Sequence, residues 1–219
     1  MIWYLLFSHF LADYPLQPTW IVKNKNRTWV LIIHGLIHLA TLSVVVGGAL
    51  RQIYPYLLLL TVFHFLVDFS KNLVNKWKPE WVIGPYLIDQ TIHYISIWIL
   101  GTWIERVYVN LDLPLDARWL VYATGYLVVT YVWFISERIL AYSDEAYRKE
   151  VDNYYLARMM TRGGLLSLFL LGWSLINDSL TRIGAGLALP YLSGSFGYRA
   201  LLTDLIVAIT GIIFIQLAL

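Results

Sequence analysis

Long apolar runs separated by short polar stretches dominate this chain. Seven can be marked off, at residues 1–14, 29–49, 54–74, 82–104, 119–141, 163–177 and 199–219. Most approach the roughly 20 residues that a helix needs to cross a hydrocarbon layer of about 30 Å. The first is shorter and, at 1.5 Å per residue, covers about 21 Å. It is expected to be a short span, a re-entrant piece, or the first arm of a helix broken at Pro15 and Pro18. It lacks the basic flank and small-residue cleavage site of a signal peptide. The most polar stretch, 137–162, is expected to be helical and outside the bilayer. The pattern predicts an all-α, polytopic transmembrane helix bundle of about seven segments. Residues 1–110 form a His/Asp-rich four-helix core, and residues 111–219 hold the remaining membrane helices with the polar cytoplasmic segment.

Composition agrees with a membrane chain. Hydrophobic residues make up 59% and charged ones only 14%, with a mean hydropathy of +0.63. Soluble domains carry about 25% charged residues. Ten Trp and sixteen Tyr suit aromatic belts at two interfaces. There is no Cys, so disulfides and thiolate metal sites are excluded. A net charge of +2 is too small to imply a nucleic-acid partner. With the first residue outside, inner loops hold eleven Lys and Arg and outer loops five, Arg51, Arg106, Arg118, Arg182 and Arg199. That bias predicts an N-terminus outside and a C-terminus in the cytoplasm.

The histidines change the picture further. All five precede residue 94, and each has a His or Asp four residues away. His9 pairs with Asp13, His34 with His38, His64 with Asp68, and Asp89 with His93. That spacing puts both side chains on one helix face, one turn apart. A given His in a chain of this composition has such a neighbour roughly one time in eight by chance. With four antiparallel segments, all four pairs fall at a similar level near the cytoplasmic leaflet. Gly35, inside HGLIH, is read as the small residue that lets these helices approach.

Imidazoles and carboxylates together suit Zn, Fe and Mn. Paired ligands on facing helices also build the di-metal centres of helix bundles. Three carboxylates at membrane depth are costly unless paired or coordinated. The expected cofactor is therefore one or two transition-metal ions, zinc first, iron or manganese next. The ligands are His9, Asp13, His34, His38, His64, Asp68, Asp89 and His93. Asp13 or Asp89 would act as catalytic base. Gln17 and Gln90 are read as orienting partners of the ligands. Lys23, Lys25 and Lys71 are read as contacts to an anionic head group, against the plainer role of positive-inside anchors. Glu137 and Arg138 are expected at the interface, and Asp204 beside Arg199.

The ordered run H-x-x-x-D-x-x-x-Q at His9, Asp13 and Gln17, H-x-x-x-H at His34 and His38, H-x-x-x-D at His64 and Asp68, and D-Q-x-x-H at Asp89, Gln90 and His93 resembles a family. It is a bacterial family of membrane proteins known only as domain of unknown function 3307, and the resemblance covers about residues 5–95. It implies the shared site and carries no activity.

The expected function is a membrane-embedded, metal-dependent hydrolase of the bacterial cytoplasmic membrane, acting on a membrane lipid or lipid-like amphiphile. A di-iron oxidase or desaturase is the first alternative. A metal or proton transporter, or a structural subunit stapled by its metal, is the other. The apolar outer halves of the front helices, LSVVV and YLLLLT, look sealed and weigh against a transporter.

Overall fold

The computed structural model describes residues 1–175 and 197–219, and every regular element among them is helical. The chain forms two compact units, Met1–Leu120 and Val121–Leu219.

In the first unit α1 (Ile2–Asp13) ends where Pro15 and Pro18 bar a continuing helix. Pro18 has an extended backbone and opens a short α2 (Thr19–Asn24). The chain then enters α3 (Thr28–Val46). A 3-10 turn at Gly47–Ala49 reverses it into α4 (Leu50–Trp77), and α5 (Ile83–Val107) follows. Gly47 has φ +55°, a left-handed conformation that needs glycine. α3 and α4 are antiparallel: His34 faces His64, and Gly35 faces Thr61. Each helix packs on two others in the order α1, α3, α4, α5 and back to α1, closing a four-helix bundle.

One end of this bundle is apolar. Leu5, Leu42, Ile53, Leu57, Ile97 and Ile104 fill it, all 3% exposed or less. The other end is where α1 and α4 finish and α3 and α5 begin, and it holds the polar residues. Within this bundle α5 lies tight against α1 at Gly101, where an added Cβ would lie 2.7 Å from Ile2 Cγ1. Gly35 is not the tight contact expected, because a Cβ there would meet only Thr61 Cγ2, at an ordinary 3.7 Å.

The second unit contains most of α6 (Ala117–Leu127), which continues through a π-helical turn at Val128–Val132 into α7 (Trp133–Leu140). Then come α8 (Glu145–Asn153), α9 (Tyr155–Leu175) and α10 (Tyr198–Ala218). Asp144 caps α8, accepting from the Tyr147 backbone N–H at 3.0 Å. That bond, with Arg199 at 2.9 Å, holds its carboxyl below the usual carboxylate range.

The polar stretch 137–162 is helical, in three pieces. It breaks after Leu140 and again near Tyr154, and its last residues begin α9. α9 and α10 run parallel: Arg158 and Arg162 meet Asp204, and Leu165 and Phe169 pack with Ala208. α6 and α7 run against both, since Tyr126 meets Ser167, Glu137 meets Arg158, and Gly125 lies against Ile215. Segments that alternate in direction would make α9 and α10 antiparallel, so this is a departure from the expected path. Residues 176 and 177 of the expected sixth segment, and Arg182, lie outside the described residues.

Among the described residues, three helical runs are long and apolar enough to cross a membrane: Thr28–Trp77, which is the α3–α4 hairpin, Ala117–Leu140, and Tyr198–Ala218. α5 and α9 have 25 and 21 residues but are more polar.

Candidate metal centre

The four-residue spacing turns each ligand pair onto the inner face of its helix, and the closed bundle brings the four faces together. His9, His34, His38, His64, Asp68, Asp89 and His93 are all between 1% and 4% exposed. The Asp13 side chain is 8% exposed.

Asp13 is the hub. Its Oδ1 lies 3.0 Å from His34 Nε2, 3.2 Å from His38 Nε2 and 3.9 Å from His64 Nε2. Its Oδ2 lies 3.4 Å from His9 Nε2. His34 Nε2 and His64 Nε2 are 3.2 Å apart. Donors placed about 2.0–2.1 Å from a zinc ion stand about 3.4 Å apart along the edges of a tetrahedron. The observed spacings bracket that value.

Three overlapping groups have ligand atoms within 4.8 Å of one another: His9, Asp13, His38 and His64; His34, His64 and Asp68; and Asp68, Asp89 and His93. They differ in charge. Lys25 Nζ is 3.1 Å from both Asp68 Oδ2 and His34 Nε2. Lys71 Nζ is 2.7 Å from Asp89 Oδ2 and 3.3 Å from Asp68 Oδ1. Among the described residues, no lysine pairs with His9, Asp13, His38 or His64. Two ammonium groups thus pair directly with two of the three carboxylates, whereas the ion-pair partners of Asp13 within 4.0 Å are all imidazoles.

The chemistry of this first group fits a metal. Three imidazole nitrogens and one carboxylate oxygen are donors that zinc or iron accept. His9 Nε2, His93 Nε2 and Asp89 Oδ1 are buried without a hydrogen-bond partner, and such atoms are costly unless something else satisfies them. A cavity of about 10 Å³, room for about one water, lies between His9, His38, His64 and His93 on one side and Leu5, Leu42 and Leu60 on the other.

Neighbouring side chains fix the rings and carboxylates. Gln17 Nε2 lies 3.2 Å from each ring nitrogen of His34. Gln90 Nε2 donates to Asp89 Oδ2 at 3.1 Å, and its Oε1 accepts from Tyr94 at 2.9 Å and Tyr14 at 3.3 Å. Asn72 donates to the backbone carbonyl of Lys25 at 2.6 Å, holding the end of α2 against α4. Lys25 and Lys71 thus reach into the centre, while Lys23 is exposed on α2.

The second unit contains a charge cluster that the sequence reading missed. Arg158 donates to Asp204 Oδ1 at 2.7 Å and to Glu137 Oε1 at 2.8 Å. Arg162 lies 3.1 Å from Asp204 and 3.3 Å from Glu137, and Tyr147 also donates to Glu137. Glu137 is therefore buried within the unit, whereas Arg138 is exposed beside Asp152. Asp204 pairs with Arg158 and Arg162, and Arg199 pairs with Asp144 instead. The available signal was Arg158 and Arg162 at four-residue spacing, which puts both on one face of a largely apolar helix.

A closed helical bundle with a buried His/Asp centre at one end is the class of protein that fold and site define. The chain belongs to the family described as protein of unknown function (DUF3307), whose model matches residues 1–122. That match ends two residues beyond the first compact unit and takes in all eight candidate ligands. No curated protein and no solved structure matches the chain.

Proposed function

We propose that this protein is a membrane-embedded metalloenzyme. Its front bundle holds one transition-metal ion, zinc before iron or manganese, on His9, Asp13, His38 and His64, and it hydrolyses a lipid-like amphiphile. The observation that carries this reading is the Asp13 carboxylate, buried among four imidazoles and paired directly with no lysine. The lysine pairs at Asp68 and Asp89 argue for one ion over two, and so against a di-iron oxidase. The apolar far end of the bundle argues against a transport path. The Lys and Arg bias supports a bacterial cytoplasmic membrane with the centre near the inner leaflet.

With a fifth coordination position open to water, a metal held there would lower the pKa of that water to about 7 and polarise a carbonyl or phosphoryl oxygen. Asp89 is the better base of the two aspartates. Lys71 and Gln90 fix its Oδ2, while Oδ1 is left without a hydrogen-bond partner, 3.4 Å from His93 Nε2. Asp13 is engaged by imidazoles and belongs with the ligands. Hydrolysis adds the hydroxyl of water to the carbonyl carbon or phosphorus. The proton passes to Asp89 Oδ1 and then to the leaving oxygen.

The test is turnover of synthetic lipid esters and phosphoesters by metal-loaded protein in mixed micelles. Asp89→Asn is expected to keep the metal and to lose about 10²–10⁴ in rate. Wild-type turnover by Asp89→Asn would remove the base from this scheme. The water-sized cavity favours a second reading, a metal staple without catalysis. In that case the metal-loaded protein consumes none of these lipids, and stripping the metal only lowers the melting temperature.

A further inference from the structure

Resting on the metalloenzyme reading above, we infer that a lipid with an anionic headgroup enters sideways, its acyl tail lying in the groove between α4 and α5 and its headgroup on Lys71. The groove has two stretches. One, of about 580 Å³, runs past Leu66, Val74 and Ile88 and includes Lys71 and Asp89. The other, of about 350 Å³, continues past Leu59, Ile95 and Ile99. Phe63 and Ile92 line both, so the two adjoin along the α4–α5 seam. These volumes are those of ligand sites.

The occupant follows from the chemistry of the walls. They are apolar along their length and belong to helices that run through the bilayer in this reading, so what lies against them is acyl chain. Two charged groups line the groove, Lys71 and its partner Asp89. The Lys71 side chain is 20% exposed, whereas that of Asp89, its partner at 2.7 Å, is 1% exposed. An anion arriving along the groove meets the ammonium first. At the polar end Trp77 and Trp81 are both exposed, and Lys78 lies 5.3 Å and 6.0 Å from their ring centroids. Such aromatic and cationic pairs sit at headgroup level.

The experiment is native mass spectrometry of the purified full chain with lysophosphatidylglycerol and lysophosphatidylcholine, with bound metal measured on the same samples. Wild-type protein should bind the anionic lipid about tenfold more tightly, the scale of one charged hydrogen bond. Lys71→Gln should erase that preference and Lys71→Arg should keep it. Phe63→Trp and Ile92→Trp, which narrow the groove, should weaken both lipids. Val44→Trp, at a site 78% exposed on α3, should weaken neither. If both groove variants bind like wild type, or Lys71→Gln keeps the preference, the inference is wrong. Bound metal in those same samples would leave the metalloenzyme reading standing. The expected lipid pattern in protein that never carries metal would do the reverse: the groove stands and the metalloenzyme reading falls.

Discussion

Asp13, Asp68 and Asp89 share one depth in the bundle but differ in what faces them. Asp68 and Asp89 have lysines at 3.1 Å and 2.7 Å, while Asp13 has four imidazoles. The pairing of each His with a neighbour four residues away was legible, because helix geometry alone puts such residues on one face. The lysines were not. A Lys near a helix end reads as an interfacial anchor, and only the fold shows that Lys25 and Lys71 turn inward. The glycines show the same limit. Gly35 drew attention by lying between two histidines, yet Gly101 is the residue on which close packing depends. Gly101→Val should cost about 1–3 kcal/mol by overpacking α1 against α5, whereas Gly35→Ala should stay near wild type. Denaturant midpoints of the two variants in one detergent decide it, and equal midpoints would contradict the packing described.

At the scale of elements, apolar runs located the helices and prolines located the break after α1. The charged face of α9 escaped because it begins in the most polar stretch of the chain, ERILAYSDEAYRKEVDNYYLARMMTR, where charges read as solvent-facing. Arg158 and Arg162 in fact lie on a buried face, 0–1% exposed, with Glu137 and Asp204 closing the charge. Removing one member leaves the cluster with an uncompensated buried charge, since Arg162 alone then faces both Glu137 and Asp204 when Arg158 is lost, typically at about 3–5 kcal/mol. Arg158→Ala should therefore sharply lower the melting temperature, and Arg158→Ala with Asp204→Ala should recover part of the loss. A single variant that melts like wild type would show that the cluster adds nothing. Asp144 acts more weakly and with a defined sign. Its folded-state pKa is depressed, so its contribution is present above the unfolded carboxylate value and is lost as pH falls through the folded one.

At the scale of the whole molecule, the parallel course of α9 and α10 bears on topology. α10 is antiparallel to α6, so the C-terminal end of α10 lies at the same end of its unit as the start of α6. Reporters inserted in the loop at 109–116 and fused after Leu219 should thus report the same side of the membrane. Opposite sides would restore the alternating path and the cytoplasmic C-terminus that the charge bias suggested. Charge counting could not find this, since it assumes that successive segments reverse. The central claim, that the front bundle is held around a metal, is tested most directly by elemental analysis of protein purified without chelator. The account predicts about one zinc, iron or manganese ion per chain. It predicts that His38→Ala and His64→Ala lose the ion and melt lower, and that Asp204→Asn keeps it. Wild-type protein without stoichiometric metal, or both His variants with full metal and wild-type melting, would contradict it.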